Sequence, residues 1–281
     1  MPMLKPNVQR MLKWMGLHER LRESYVYDLY WRMADRRRID RRSKEVAFYR
    51  SLLNGFRPGD LVFDVGANVG EKTDVFLRLG ARVVAVEPDE ACQGVLRDKF
   101  LRYRLAPKPV VIVGKAVSDN QKIETMWVDG PGSALNTLSQ KWVASLKDNK
   151  TRFEHTLDSM TFAGRKDVET TTLEQLVATY RLPFFVKIDV EGSELAALRG
   201  MRRPVPYLSF EVNLPEFRPE ALECVELLKR IATNGKFNYS ADCEVGLALD
   251  TWLEPHEFLP VLSRVKEKSI EVFWRTTVQA G

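Results

Sequence analysis

The sequence predicts an α/β fold built on a mostly parallel, doubly wound sheet, and three observations carry that expectation. First, LVFDVGANVG from Leu61 to Gly70 passes from a short strand rich in β-branched residues into a turn almost bare of side chains. Second, EKTDVFLRLG then shows helical periodicity and stops at Gly80, before VVAVEP at Val83 to Pro88 makes a second strand that ends on the acid Glu87. Third, the alternation continues. PVVIVGKAVSD at Pro109 to Asp119 is a third strand entering a turn, and IETMWV at Ile123 to Val128 is an added strand. PFFVKIDVEGSELAALRGM gives a strand from Phe184 to Ile188 followed by acids, a glycine and a helix; YLSFEVN from Tyr207 to Asn213 is a further strand. ALECVELLKRIATNG is a helix closed by Gly235, and FNYSAD and SIEVFWRTT are closing strands. Parallel strands alternating with helices place ligands outside the carboxyl ends of the strands.

The first strand, loop, helix and second strand read as a cofactor site. Glycines let backbone N–H groups approach a ligand at a helix N-terminus, and an acid closing the second strand can accept two hydrogen bonds from a ribose diol. Glu87 stands in that position. A nicotinamide cofactor would call for G-x-G-x-x-G, but here Asp64, Gly66 and Gly70 give D-x-G-x-x-x-G, with Asn68 where the second glycine would be. A carboxylate at the strand end repels a pyrophosphate and suits an ammonium. S-adenosylmethionine carries an amino-acid end, a sulfonium and a ribose, so Asp64 facing the cationic end and Glu87 facing the diol form a coherent pair.

The same sheet edge gathers Asp189, Glu191, Glu211 and Asn213 around one pocket. Asp189 and Glu191 flank Val190 in a turn, and Glu191 either caps the helix that starts near Ser193 or stabilises the turn, or else touches substrate. Lys187 lies within an apolar strand, where a cation needs a partner that Asp189 or Glu211 could supply, or else it snorkels at an edge. Asp189, Glu211 and Asn213 are oxygen ligands suited to Mg²⁺, with ordinary hydrogen bonding at the pocket floor the expected alternative, and no metal is assigned. No histidine or cysteine spacing suggests zinc.

Composition fits one catalytic domain with an extension. The 281 residues are 44% hydrophobic, enough for a sizeable core. Cys92, Cys224 and Cys243 lie far apart without a C-x-x-C, which points to a reducing cytoplasm. No apolar run approaches a membrane span. Residues 1–57 are expected as an amphipathic helical extension, packed on the domain or on a partner, and residues 58–281 as the catalytic domain. The net charge of +5 is concentrated in DRRRIDRR at Asp35 to Arg42, which is either a solvated helix face or a contact for nucleic acid or an anionic membrane surface. The extension could also pair with itself in a homodimer. From Asp129 to about Lys166 the chain is polar and without steady period, and it reads as a substrate lid that includes Ser133. Trp127, Trp142 and Phe153 around it either stack on an acceptor or pack. After the lid, Thr171 with Glu174 resembles a capping box that opens a short helix.

FDVGANVGEKTDVFLRLGARVVAVEPD and the later VKIDVEGSELAALRG resemble the FkbM family of S-adenosylmethionine-dependent methyltransferases, over about Gly59 to Trp274. The resemblance implies a class I methyltransferase Rossmann-like fold with a seven-stranded sheet. It also implies O-methylation of hydroxyls on natural products or glycans. By it, Asp64, Gly66, Asn68 and Gly70 line the methionine and ribose side of the cofactor, Glu87 the diol, Ser118 and Asp119 the adenine neighbourhood, and Asp189 the place of methyl transfer. Glu191 and Gly192 match the same signature.

A sulfonium methyl is already activated, so the protein's task is to align an attacking oxygen and accept its proton. Asp189 is the first candidate base, Lys187 would orient it or hold substrate, and His155 in the lid is the rival. Glu191, Glu211, Asn213 and Ser133 are the candidate substrate contacts. Competing functions are a nucleic-acid methyltransferase, an NAD-dependent oxidoreductase and a cofactor-binding scaffold without catalysis. I-D-V-E-G in place of an N/D-P-P-Y-type strand end speaks against the first, and the missing glycine against the second.

Overall fold

A computed structural model describes residues 36–102, 109–148, 162 and 164–277. Its large sheet contains β1 (Leu61–Val65), β2 (Arg82–Val86), β3 (Val110–Val113), β7 (Phe185–Ile188), β8 (Tyr207–Asn213), β9 (Lys236–Ser240) and β10 (Ser269–Arg275). Their spatial order is β3-β2-β1-β7-β8-β10-β9. All pairings are parallel except that β10 runs antiparallel to both β8 and β9. A smaller sheet is ordered β4-β6-β5, from Ala116–Val117, Gly164–Thr171 and Ile123–Val128.

The central strands are mostly apolar, Asp64 of β1 and Lys187 of β7 being exceptions, because both faces are covered. Alternate residues of β1, Val62 against Phe63 and Val65, enter two different cores. One core lies under α1 (Arg36–Leu52) and α2 (Glu71–Leu79). In α1, Phe48, Tyr49 and Leu52 recur at helical spacing and are buried, as is Leu53 just after it. Tyr49 is fully buried, packs edge-on against Phe76, and donates its hydroxyl to Glu271 at 3.1 Å. Full burial of each such ring contributes about 1.5–3 kcal/mol. The first 35 residues of the expected extension lie outside the described residues, whereas α1 belongs to the domain's own core. Within the basic run, Arg41 pairs with Glu244 at 2.9 Å and Arg42 with Asp74 at 3.2 Å.

The structure departs from the sequence reading at four places. The single third strand divides at Gly114 and Lys115 into β3 of the large sheet and β4 of the small one. The lid region is not patternless: α4 (Gln140–Asp148) buries Trp142, Val143 and Leu146, a one-turn apolar pattern too short to establish a period. Residues 149–161 and 163 of that region lie outside the described residues, and with them Phe153 and His155. Thr171 ends β6, so the cap of α5 (Leu173–Tyr180) is Thr172, whose hydroxyl accepts from the Gln175 N–H at 3.0 Å. Finally, Lys187 does not snorkel at an edge, because β7 lies between β1 and β8.

Candidate active site

A cavity of about 200 Å³ opens beyond the carboxyl ends of β1, β2 and β7. Gly66, Asn68, Glu87, Ser133, Asp189 and Glu191 line it, so the sheet brings together six predicted site residues from distant parts of the chain. Asp64, Gly70, Ser118, Asp119, Lys187, Glu211 and Asn213 stand outside its wall.

The loop after β1 is shaped by close approach. At Gly66, with φ +81°, an added Cβ would lie 1.7 Å from the Asp189 carbonyl oxygen, so only glycine lets the β1 and β7 ends meet. Gly70 begins α2 (φ +75°), and a Cβ there would strike Leu96 and Phe100 at 2.6 Å. Between them Asn68 adopts φ +46°, which asparagine tolerates, and its N–H donates to Glu87 Oε2 at 2.8 Å.

Glu87 is buried, and its other oxygen accepts from the Asp89 N–H at 2.8 Å. A carboxylate offers about four acceptor positions, so two remain for a diol. Burial, reinforced by Asp89 and Asp64, overcomes these two donors and lifts the Glu87 carboxyl to about 7. Asp64 lies outside the cavity wall, buried and bonded to the Thr73 hydroxyl at 2.5 Å, and burial raises its pKa. Ser118 is buried and donates its hydroxyl to Asp119, which Lys122 engages at 3.1 Å. Their neighbours Lys115, Ala116 and Val117 line the cavity instead.

At the opposite end Asp189 faces the cavity, its side chain 30% exposed, and accepts from the Lys187 ammonium at 2.8 Å. Lys187 is buried beneath it. Burial opposes the charge on Lys187, but the Asp189, Glu271 and Glu211 carboxylates outweigh it and hold the ammonium above its ordinary range. Burial likewise opposes ionisation of Asp189, and Lys187 wins, keeping it well below the usual carboxyl range. Glu211 lies beside Asp189, and burial and the Asp189 charge push its carboxyl well above that range. Ser269 donates its hydroxyl to Glu211 at 2.7 Å, and Asn213 is buried at the end of β8. Carboxylate oxygens of Asp189, Glu191 and Glu211 lie within 4.8 Å of one another.

Glu191 does not cap the next helix. Its φ is +52°, and its carbonyl accepts from the Thr137 hydroxyl at 2.7 Å. Glu194, the first residue of α6 (Glu194–Arg199), takes the N–H groups of Val190 and Gly192 on one oxygen at 3.1 and 3.2 Å. Sequence reasoning missed Asn136 and Thr137, which line the cavity from an aperiodic segment, and Asp89, whose place beside Glu87 could have marked it. Trp142 packs edge-on against Phe217 in the core, while Trp127 lies under the Arg165 guanidinium at 4.3 Å.

Among the described lining residues the charged groups are Glu87, Lys115, Asp189 and Glu191, and the Lys115 ammonium is engaged by Glu169 at 2.8 Å. An acidic wall of this kind suits a sulfonium, an ammonium and a diol, and is unsuited to a diphosphate. Together with the sheet order and the single antiparallel strand, it defines a class I, Rossmann-like S-adenosylmethionine-dependent methyltransferase domain.

The FkbM methyltransferase domain model matches residues 64–235, and the chain belongs to that family, whose cofactor is S-adenosylmethionine. A curated relative, ribosomal RNA small subunit methyltransferase A of Thermotoga petrophila, is 41% identical over 49 residues, or 17% of this chain. The match spans about a fifth (19%) of that relative's length. Among solved structures, the chain is similar to a TehB-like SAM-dependent methyltransferase from Corynebacterium glutamicum, at 8% identity and TM-score 0.41, over 83% of this chain and 88% of that one. It is similar also to the plantazolicin methyltransferase BpumL in complex with SAH, at 10% identity and TM-score 0.39, over 97% and 100%. Cys92, Cys224 and Cys243 are free thiols, and no helix among the described residues is long and apolar enough to cross a membrane.

Proposed function

We propose that the protein transfers the methyl group of S-adenosylmethionine to a hydroxyl of a small natural product or glycan. The observation that carries this reading is Asp189, paired with the buried Lys187 ammonium at 2.8 Å, in the wall of a cavity that presents Glu87 at its other end. Bound there, the cofactor supplies an electrophilic methyl group. Glu87 accepts the diol's hydrogen bonds, and the backbone of the Gly66 to Asn68 loop approaches the ribose and methionine side. Asp64 acts from outside the wall, through its bond to Thr73 at the start of α2.

Asp189 accepts a hydrogen bond from the acceptor hydroxyl, turns its oxygen toward the methyl group and receives the proton as the C–O bond forms. Lys187 is the positioning residue for Asp189 and keeps it ionised before attack. Glu211, whose carboxylate oxygen lies within 4.8 Å of that of Asp189, adds a second fixed neighbour. Glu191 and Ser133 are proposed acceptor contacts.

In the nucleic-acid reading DRRRIDRR would meet phosphates, but Arg41 and Arg42 are already engaged by Glu244 and Asp74. Calorimetric titration with S-adenosylhomocysteine and with NAD, repeated on Asp64→Ala and Glu87→Ala, tests the cofactor half. Binding of S-adenosylhomocysteine alone, weakened by both substitutions, is the expected result, and NAD binding would overturn it. Methyl transfer from labelled S-adenosylmethionine to panels of hydroxylated natural products, glycans and RNA tests the other half, with Asp189→Asn expected to lower the rate at least ~100-fold. Labelling of RNA alone would refute the proposed acceptor class.

A further inference from the structure

The geometry points to Asp89 as a latch that couples cofactor binding at Glu87 to closure of residues 129–139 over the acceptor end of the cavity. This rests on the cofactor reading above and extends it to the segment that borders the acceptor end.

Asp89 is buried and joins three parts of the site. Its N–H donates to Glu87 Oε1 at 2.8 Å, so its position follows that of the diol-binding carboxylate. Its Oδ1 accepts from the Ala91 N–H at 2.7 Å and caps α3 (Glu90–Arg97), which fixes the side chain's direction. Its Oδ2 accepts from the Asn136 amide at 2.6 Å and the Gly132 N–H at 3.1 Å, which ties down the 129–139 segment.

That segment is a small structure in its own right. Asn136 accepts from the Asp129 N–H at 3.0 Å and donates to the Gly130 carbonyl at 2.9 Å, while the Ser133 hydroxyl donates to Asp129 at 3.1 Å. Its far end is anchored separately. The Thr137 backbone pairs with Trp127 in both directions, at 2.8 and 3.1 Å, and the Thr137 hydroxyl holds the Glu191 carbonyl. Bonds at Thr137 to two elements make that end the hinge, and Asp89, reached through side-chain and loop donors alone, is the releasable end. Ser133, Ala134, Asn136, Thr137 and Leu138 meanwhile form part of the cavity wall.

The cavity measures about 200 Å³, small beside the roughly 300–1,000 Å³ usual for small-ligand pockets. In the proposed cycle the segment swings from Asp89 to admit ligand and returns to Asp89 to enclose it. Glu87 held by a diol fixes the Asp89 backbone and so presents Oδ2 to the returning Asn136. Asp89 and Asn136 touch no reacting atom and are positioning residues.

The test uses the full chain, with S-adenosylhomocysteine as the probe at a concentration that calorimetry shows to be saturating for each variant. Hydrogen exchange of residues 129–139 is read with and without it. In the unaltered protein, exchange in this segment is expected to slow at least tenfold on saturation. Asn136→Asp sets a carboxylate against Asp89 and is expected to abolish that slowing; Asn136→Ser, which removes the amide without adding charge, is expected to do the same if the first variant does not fold. Exchange in the large sheet is read in the same samples: loss of the ligand-dependent slowing in residues 129–139 with the protection of the sheet unchanged is the signature of the latch, which a merely structural role for Asn136 would not give. Saturation without protection in the unaltered protein, full protection in the single variants, or loss of protection throughout the large sheet as well in the folded variants would each overturn the latch while leaving the cofactor reading intact. Failure of calorimetry to detect binding to the unaltered protein would overturn both.

Discussion

On the proposed reading, Glu87 makes cofactor affinity depend on pH in the neutral range. Its carboxyl is held near 7 in the free protein, chiefly by burial, with Asp89 and Asp64 adding to the effect and the Asp89 and Asn68 N–H groups opposing it. A ribose diol donates two hydrogen bonds and so selects the ionised form. Binding then requires loss of the Glu87 proton below pH 7, and the apparent dissociation constant grows as 1 + 10^(7 − pH). At pH 5.5 affinity for S-adenosylhomocysteine is expected to fall about 30-fold relative to pH 8.5, or about 2 kcal/mol. Calorimetry across this range, in two buffers of different ionisation enthalpy, reads both the affinity and the proton released. Glu87→Gln is expected to bind more weakly and without the slope. Glu194, also lifted to about 7 by burial, titrates in the same window but lies outside the cavity wall, so Glu194→Gln is expected to keep the slope. An affinity that stays flat from pH 5.5 to 8.5, or a slope unchanged in Glu87→Gln, would refute the assignment of the diol to Glu87.

Three further outcomes follow from the same geometry. Because the folded pKa of Glu194 lies above its unfolded value, its contribution to stability is complete below pH 4.5 and disappears as pH rises through 7. The thermal midpoint should therefore fall between pH 5 and 8, by a free energy of up to about 3 kcal/mol from this group, and fall less in Glu194→Gln. Gly66→Ala combines φ +81° with a Cβ 1.7 Å from the Asp189 carbonyl and should cost at least about 3 kcal/mol in denaturant unfolding, together with S-adenosylhomocysteine binding; a wild-type midpoint would contradict the close approach. Lys187→Met leaves Asp189 and the nearby acids without their buried cation and should destabilise by about 3–5 kcal/mol, part of which Asp189→Asn should recover in a double-mutant cycle.

The parts of the fold legible in the sequence are those where one local rule decides the outcome. β1 and β7 are short apolar runs closed by glycines and acids, and the sheet pairs them in register, Asp64 beside Lys187 and Val65 beside Ile188. Lys187 itself was legible as a cation needing a partner, because no apolar strand tolerates an unpaired charge. What escaped depends on distance. That Asp64 would turn to Thr73 and leave the cavity wall follows from the packing of α2 on β1, and no spacing states it. The one-residue error at the start of α5 arose because Thr171 and Thr172 are equally good caps, and only the pairing of Thr171 with Val117 in the small sheet excludes the first. The helix at Gln140–Asp148 was hidden because two turns carry too few apolar positions to define a period.

That division has a functional side. Gly66, Glu87 and Asp189 converge because three parallel strands end at one edge, so the cofactor end of the cavity is fixed by the same hydrogen bonds that hold the sheet together. The proposed acceptor end is built differently. Ser133, Asn136 and Thr137 follow β5, which pairs with β6 in the smaller sheet over a separate small core of Ala116, Met126 and Val168. Leu135 apart, which packs against one of the two large cores, substitutions in that segment can alter what the cavity admits while the large sheet stays unchanged. On the proposed reading, acceptor choice therefore resides in residues 129–139 and the requirement for cofactor in the strand ends. Asp89 is the residue that belongs to both, through its N–H to Glu87 and its carboxylate to Asn136.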